Sequence, residues 1–323
     1  MPRPLSRVLC RAAPVFLAAA CHHAAAPVPP PPAVAPTPPP PPALSRLFAI
    51  RVNNTQLAFR TSGSDGAPVV FVHDSYGDLD DWRAQVDVFS PTHRVLVYSR
   101  RYHPPNAAQD DGEVYTPALH AADLAALLEA LRLAPAHVVG AGYGAYVALV
   151  LALERPDLVR TLVLGEPPVI PLLLRTPGGD TLRRALVEGA LEPARAAFAR
   201  GDSLSAARLF VNGVSAPAGG FDGLPAAQRT RILAHSFALR RELSADPRQA
   251  FPALDCARLG RVAMPVLLLR GARSPRLYEV ITTELARCLQ SDTLIILPNA
   301  GHALEATSPA AYNATVLRFI AAH

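Results

Sequence analysis

The chain has 323 residues, half of them hydrophobic, so it can bury a sizeable core in one large domain or two small ones. Its formal net charge of +5 falls to about +2 without Arg3, Arg7 and Arg11, which lie in a segment that we expect to be removed. So small an excess of positive charge excludes the basic footprint of a nucleic-acid-binding protein.

Residues 1–20 predict a secretory signal peptide. The three arginines precede AAPVFLAAA, a short apolar run that ends in small residues and is too short to span a bilayer. Cys21 follows LAAA, and this junction resembles the lipobox of bacterial lipoproteins, although Ala18 stands where leucine is usual. The resemblance implies an exported protein of the bacterial cell envelope, anchored to a membrane through a lipid on Cys21. An ordinary cleavable signal with an incidental cysteine is the alternative.

Residues 21–45 predict an extended, proline-rich tether. Within them, residues 27–42 hold 11 prolines, which favour polyproline II and cannot form a packed core. At roughly 3.1 Å per residue the spacer reaches on the order of 65 Å, enough to hold a domain away from a membrane. A proline-rich ligand for a partner protein is the alternative use of this segment.

Residues 46–323 predict one α/β domain that opens with an antiparallel hairpin. LFAIRV and QLAFRT alternate in polarity on either side of Asn53-Asn54. Six short apolar runs suited to burial on both faces follow: PVVFVH, RVLVYSR, AHVVGAG, TLVLGE, PVLLLRG and TLIILPN. Helical patterns such as ALHAADLAALLEALRL and YGAYVALVLALE lie between most of these runs. The alternation predicts a mainly parallel sheet with helices on both faces.

One long interval, residues 168–262 approximately, contains no strand pattern. It holds amphipathic helical segments instead: DTLRRALVEGAL, LEPARAAFAR, SLSAARLFVNG and PAAQRTRILAHSFALRREL. An insertion of helices between two neighbouring strands of such a sheet would form a cap over the strand ends.

Cys256 and Cys288 are the two cysteines that remain beyond the N-terminal segment. One precedes the strand PVLLLRG, and the other ends the helix after it, so both lie towards one end of the sheet. In an exported protein we expect that they can form a disulfide, with two buried free cysteines as the alternative. Their spacing does not resemble a zinc site, and no metal is expected.

Four segments, in order, resemble the α/β-hydrolase fold over roughly residues 47–323. VVFVHDSYGDLDDW resembles the strand and loop of the oxyanion hole, and VLVYSRRYHPPN resembles the next strand and loop. VVGAGYGAYVALVLALERPDLVRTLVLGEPP resembles the nucleophile elbow, and LPNAGHALEATSPAAYNATVLRFI resembles the segment that carries the catalytic histidine. The resemblance implies that His302 is that histidine and that Asp74, Ser75 and Tyr143 surround the oxyanion hole.

The resemblance leaves the position of the catalytic acid open. In many family members the acid follows the strand represented here by VLLLRGARS, where Ser274 stands. In others it follows the preceding strand, where Glu166 stands in LVLGEPP. Ser274 cannot carry the negative charge of a catalytic acid. Both positions remain candidates, and Glu166 is the only acid at either of them.

The nucleophile itself is missing. Where the family has Gly-x-Ser-x-Gly, the chain has GAGYG, and Gly142 stands in place of the serine. No acyl-enzyme can form there, and the position above Gly142 is expected to be vacant. Asp74 replaces the usual glycine of His-Gly, and its charge opposes an oxyanion. The resemblance therefore implies a pseudo-hydrolase that acts as a binding or regulatory protein and needs no cofactor. Its ligand would be a small apolar or ester-like molecule.

Two other hypotheses use the same residues. Water could occupy the space above Gly142 and be activated by His302 with Glu166 behind it, which would make the protein a weak hydrolase. Alternatively, Gly140, Gly142 and Ala145 match the G-x-G-x-x-G/A dinucleotide pattern, with Glu166 as the ribose-binding acid. The dinucleotide hypothesis leaves the AGH sequence and the helical insertion unexplained.

Overall fold

The computed structural model describes residues 46–252, 254–289 and 293–323. The predicted signal peptide, the tether and Cys21 lie outside the described residues. Within those ranges, no helix has the length and apolar character needed to cross a membrane.

Eight strands form a single sheet with the order β1-β2-β4-β3-β5-β6-β7-β8. They are β1 Phe48–Val52, β2 Thr55–Ser62, β3 Pro68–Val72, β4 Arg94–Tyr98, β5 Ala136–Ala141, β6 Val159–Gly165, β7 Val266–Gly271 and β8 Leu294–Leu297. The pairs β1·β2 and β2·β4 are antiparallel, and the other pairs are parallel. The predicted mainly parallel sheet with an N-terminal antiparallel hairpin is confirmed.

Helices cover both faces of the sheet. They are α1 Arg83–Phe89, α2 Pro117–Ala130, α3 Tyr143–Glu154, α4 Gly179–Leu186, α5 Glu192–Ala199, α6 Ser203–Val214, α7 Ala226–Ala234, α8 Ser236–Ser244, α9 Pro247–Ala250, α10 Cys256–Leu259, α11 Arg276–Leu289, α12 Leu304–Thr307 and α13 Pro309–Ala321. Strand β3 shows why two layers are needed: Val70 and Val72 pack into one hydrophobic core, and Val69 and Phe71 pack into the other. Successive side chains of a strand point to opposite faces, so each face requires its own layer of helices.

The helices between β6 and β7 form an insertion, which comprises α4 to α10. A π-helical turn, Val187–Leu191, joins α4 to α5. The segment PAAQRTRILAHSFALRREL, which the sequence pattern presents as one helical stretch, forms α7 and α8 with a break at His235. The His235 ring is buried, with Nδ1 at 2.8 Å from the backbone oxygen of Arg231 and Nε2 at 3.2 Å from Asp78 Oδ2. The break therefore coincides with a tertiary contact to the loop after β3.

Candidate active site

Gly142 occupies the sharp turn between β5 and α3, which begins at Tyr143. Its φ of 50° and ψ of −122° are strained for a residue with a side chain, and glycine adopts them without that penalty. At Gly144 a Cβ would lie 2.2 Å from the backbone oxygen of Val72, so the turn also packs closely against β3. The strand-turn-helix geometry of a nucleophile elbow is present without a nucleophile side chain.

The imidazole of His302 lies against Glu166. His302 Nδ1 is 2.6 Å from Glu166 Oε2, and Glu166 Oε1 accepts a hydrogen bond of 2.7 Å from the amide of Gly271. Both carboxylate oxygens are thus engaged, and the Glu166 side chain is fully buried. The hydroxyl of Ser274 is buried with no hydrogen-bond partner among the described residues. Of the two candidate acid positions, the structure brings Glu166 to the histidine.

The carboxylate of Asp74 fills the space above Gly142. Asp74 Oδ1 accepts hydrogen bonds from the amides of Ser75, at 2.8 Å, and Tyr143, at 2.7 Å. Asp74 Oδ2 lies 3.3 Å from His302 Nε2. A Cβ built on Gly142 would lie 2.0 Å from Oδ1 and 2.4 Å from Oδ2. The expectation of an empty space above Gly142 was wrong. Because glycine has no side chain at the elbow, the side chain of Asp74, from the loop after β3, occupies that space.

The three side chains form a charged chain, Asp74–His302–Glu166. Burial acts to lower the pKa of His302, but the hydrogen bonds and charges of Asp74 and Glu166 raise it to about 10. Burial acts to raise the pKa of Asp74, but the charge of His302 and the two amide hydrogen bonds hold it below its usual value. At neutral pH an imidazolium therefore stands between two carboxylates.

Tyr278, near the start of α11, completes the surroundings of the imidazole. Its ring stacks on His302 with centroids 4.2 Å apart and planes at 14°, and its hydroxyl lies 3.2 Å from His302 Nε2. No motif in the sequence singled out this tyrosine. Tyr278 lies in the first turn of α11, shortly after Ser274. A search for polar side chains in the turn that follows the Ser274 position would have found it.

Arg100 holds the backbone of the loop that carries Asp74. The guanidinium is buried and donates to the backbone oxygens of His73, at 3.1 Å, and Asp74, at 3.0 Å. It also donates to the hydroxyl of Tyr115 at 2.9 Å and lies 5.2 Å from the ring centroid of Tyr143. A fully buried cation thus fixes the direction from which the Asp74 carboxylate enters the site.

The insertion helices close the site from above. Leu186, Leu191, Phe210, Glu242 and Phe251 meet the Asp74 and His302 side chains around a cavity of about 20 Å³, the site cavity. That volume holds about one water molecule. A neighbouring cavity of about 380 Å³, the insertion cavity, lies among Ile170, Val187, Leu191, Leu243 and Phe251.

The dinucleotide hypothesis does not fit this geometry. Glu166 would have to reach a ribose, but it is fully buried with both oxygens engaged by His302 and a backbone amide. The first amide of α3, where a pyrophosphate would bind, already donates to Asp74. The glycine pattern of Gly140, Gly142 and Ala145 therefore serves the close packing of an elbow.

The two cysteines predicted to pair do form a disulfide in the structure. A disulfide joins Cys256, at the start of α10, to Cys288, near the end of α11, with their Cα atoms 4.5 Å apart. The two sulfurs lie close to the carboxylate of Glu284, a donor set that would be open to a metal only with both thiols free. The lipidation candidate Cys21 lies outside the described residues.

The sequence profile of the alpha/beta hydrolase family matches residues 69–315. The chain is 28% identical over 291 residues to the putative non-heme bromoperoxidase BpoC of Mycobacterium tuberculosis, covering 82% of this chain and 97% of that protein. It is 31% identical over 269 residues to the putative carbamate hydrolase RutD of Caulobacter sp. (strain K31), covering 80% of this chain and 91% of that protein.

Solved structures show the same fold. A membrane phospholipase A superposes with a TM-score of 0.69 at 20% identity, covering 86% of each chain. At that identity the likeness concerns the fold alone. The structure of BpoC superposes with a TM-score of 0.57 at 26% identity, covering 82% of this chain and 96% of that one.

Proposed function

This chain belongs to the alpha/beta hydrolase family, and from that premise we propose that it binds a small molecule without serine-dependent hydrolysis. One observation carries the proposal: the Asp74 carboxylate stands where both the nucleophile oxygen and the oxyanion would stand. The family fold supports the proposal of a ligand pocket between the sheet and the insertion. The Asp74 carboxylate at the nucleophile position supports binding of a ligand without its hydrolysis.

An acyl-transfer intermediate has no place in this site. The developing oxyanion needs the two amides of Ser75 and Tyr143, and Asp74 Oδ1 already accepts from both. The site cavity, at about 20 Å³, leaves no room for an ester beside the carboxylate. Loss of the nucleophile alone reduces such catalysis to on the order of 10³–10⁴-fold over water, and the filled oxyanion hole removes part of that remainder.

Activation of water by His302 is the less supported hypothesis. With a pKa raised to about 10, the imidazole is the free base in only about one molecule in a thousand at pH 7. Its Nε2 also faces Asp74 Oδ2 and the Tyr278 hydroxyl, the positions from which a water would have to approach. A general base needs a free acceptor near the operating pH, and His302 has none.

One observation favours a second candidate function, in which Asp74 is itself a nucleophile. Its Oδ1 is held by two amides while Oδ2 faces the histidine, so Oδ2 could attack an alkyl carbon and expel a leaving group. The resulting ester would remove the charge of Asp74, lower the pKa of His302 and free it to activate water. His302 would take a proton from water, whose oxygen attacks Cγ with the oxyanion on Oδ1. Breaking the Cγ–O bond would then release the product alcohol, which receives that proton, and return the carboxylate.

We also propose that the domain is exported and tethered to the bacterial envelope through Cys21. The arginine-led apolar run, the LAAAC junction and the 11 prolines of residues 27–42 support this proposal.

The test compares Gly142→Ser, Asp74→Gly and the double variant with the unchanged protein on a panel of short-chain p-nitrophenyl esters. We expect background rates from the unchanged protein and from Gly142→Ser, because a Cβ at Gly142 would clash with Asp74. The double variant supplies the hydroxyl and clears the oxyanion hole, so we expect a gain of at least about tenfold over background.

Two controls decide between the candidate functions. His302→Ala should abolish the gain in the double variant; saturable ester hydrolysis by the unchanged protein that His302→Ala abolishes would contradict the binding proposal. In H₂¹⁸O with a panel of epoxides and alkyl halides, ¹⁸O in the peptide that contains Asp74 would establish the carboxylate nucleophile instead. We expect no label there.

A further inference from the structure

The insertion cavity lies beside the active site but is a separate space. Its walls come from the 3₁₀ turn Ile170–Arg175, from the segment between α4 and α5, and from the segment between α8 and Phe251. Leu191 and Phe251 line both this cavity and the site cavity, so they form part of the wall between the two. The volume of about 380 Å³ falls in the size range of small-molecule sites.

The walls of the insertion cavity suit an aliphatic chain. Apart from three arginines and two glutamates, every lining residue is apolar. Leu174 borders the cavity and is 61% exposed, which gives the cavity an apolar opening to solvent. The cavity has the volume of about a dozen water molecules at roughly 30 Å³ each, and a methylene group is of similar size.

The two glutamates do not offer the cavity a free negative charge. The carboxyl of Glu242 is turned towards the core, where it hydrogen-bonds the hydroxyls of Ser75, at 3.0 Å, and Tyr115. Glu192 is exposed and lies three residues before Arg195 on α5, so the two side chains are neighbours of opposite charge on one helix face. Neither acid is therefore available to attract an organic cation into the cavity.

The three arginines differ in what already holds them. Arg183 Nη2 lies 2.9 Å from Asp180 Oδ1, and Arg195 Nε donates to the backbone oxygen of Leu243. Arg248 lies exposed on α9, and of this residue only the backbone amide donates a hydrogen bond to another described residue. Within the part of the chain that the structure describes, its guanidinium has no ion-pair partner. The opening of the cavity thus carries a cation that is available to a ligand.

We propose that the insertion cavity binds a linear aliphatic carboxylate of about ten carbons, with its head group paired to Arg248 at the opening. This inference rests on the proposed binding function and gives it a ligand class. The chain gains affinity by leaving water for the apolar walls. A carboxylate can accept two parallel hydrogen bonds from a guanidinium, and at the opening it stays in contact with water, so it avoids the cost of burying a charge.

The first experiment measures the affinity of the purified protein for hexanoate, octanoate, decanoate and longer carboxylates by calorimetry at pH 8. We expect the affinity to rise roughly fourfold per methylene up to decanoate, because each methylene leaves water. It should level off beyond decanoate, since a longer chain extends out of the cavity. An affinity that keeps rising at the same rate would indicate adsorption to an apolar surface and would overturn the proposed site.

The second experiment compares head groups on a chain of the same length. Decanoate should bind about threefold to fivefold more tightly than 1-decanol, because an exposed ion pair contributes modestly in water. Decylamine should bind more weakly than both, and high salt should remove the preference for decanoate over 1-decanol. Tighter binding of decylamine than of decanoate would contradict the assigned charge of the ligand.

Three variants place the ligand in the cavity. Arg248→Gln should lose the preference for decanoate but keep the affinity for 1-decanol, which shows that the pocket still folds. Arg240→Gln, at an exposed arginine of α8 that does not line the cavity, should change neither affinity. Leu174→Ser should weaken both ligands alike. A preference for decanoate that survives Arg248→Gln, or no binding of decanoate at all, would overturn this inference alone, because the ester and ¹⁸O assays test the binding function separately.

Discussion

His302 carries its proton between two carboxylates, and this couples stability to pH in both directions. Its folded pKa of about 10 lies above its unfolded value of about 6.5, so its contribution is fully present below pH 6.5. That contribution is lost as pH rises through the folded pKa. The folded pKa of Asp74 is lowered, so its contribution is present above its unfolded pKa and is lost as pH falls through the folded value.

We therefore expect the free energy of unfolding to fall by about 2–4 kcal/mol between pH 7 and pH 10. Urea denaturation followed by the fluorescence of Trp82, the single tryptophan, measures it. The matched control is His302→Gln, which carries no proton to lose and should show a flatter profile. Equal slopes for the two proteins would show that His302 is not the group that titrates.

At this residue scale, the sequence identified Asp74, Glu166 and His302 as members of the site. It missed Tyr278 and Arg100, which contact His302 and Asp74. Gly142 and Asp74 each depart from the family pattern, and the sequence predicts an empty space above Gly142 with Asp74 near it. In the structure one departure accommodates the other, because the carboxylate occupies the volume that a side chain at Gly142 would need. Sequence motifs place Gly142 at the turn after β5 and Asp74 on the loop after β3, but the direction of the Asp74 side chain depends on the buried Arg100 contact.

The disulfide joins two elements, α10 and α11, that follow each other around β7. Cys256 and Cys288 are separated by 32 positions, and closing a loop of that length restricts the unfolded chain. We expect the double substitution to serine to lower the free energy of unfolding by about 3 kcal/mol, as seen in a lower melting temperature. Unchanged protein treated with a reductant should match the variant.

Alkylation of the unfolded, non-reduced protein provides the independent check on the disulfide. Modification of either Cys256 or Cys288 under those conditions would contradict the bond. A double variant as stable as the unchanged protein would instead show that the bond contributes nothing to folding.

At the element scale, the eight strands and the helices beside them follow from local patterns. Strands buried on both faces read as continuous apolar runs. The prediction of such burial was wrong for LIIL of β8, which lies at the edge of the sheet with Ile295 and Ile296 exposed. The break between α7 and α8 does not follow from the pattern, since His235 is fixed by Asp78 on a distant loop. The burial of Glu242 does not follow from the sequence either. A charged residue on an amphipathic helix is ordinarily solvated, and only the fold shows that this one is buried.

At the scale of the whole molecule, the domain and the N-terminal segment rest on different kinds of evidence. The α/β-hydrolase fold follows from alternating apolar runs and four motifs in order, and the sheet confirms it. The signal peptide and the tether rest on sequence patterns alone. Their physical consequence is a domain that would stand up to on the order of 65 Å from a membrane, and that consequence is open to a direct test.

Lipidation of Cys21 is tested by labelling the protein with a radioactive fatty acid in a bacterial host. We expect label on the unchanged protein and on Cys10→Ser, which alters the other cysteine of the N-terminal segment, and none on Cys21→Ser. The labelled proteins should sediment with membranes and be released by detergent, because an acyl chain contributes about 0.8 kcal/mol per buried methylene. An uncleaved signal peptide can also hold a protein at a membrane, so the label, and not sedimentation alone, decides the outcome. Label that persists in Cys21→Ser, or is missing from the unchanged protein, would rule out the lipid anchor and leave an ordinary cleaved signal as the route of export.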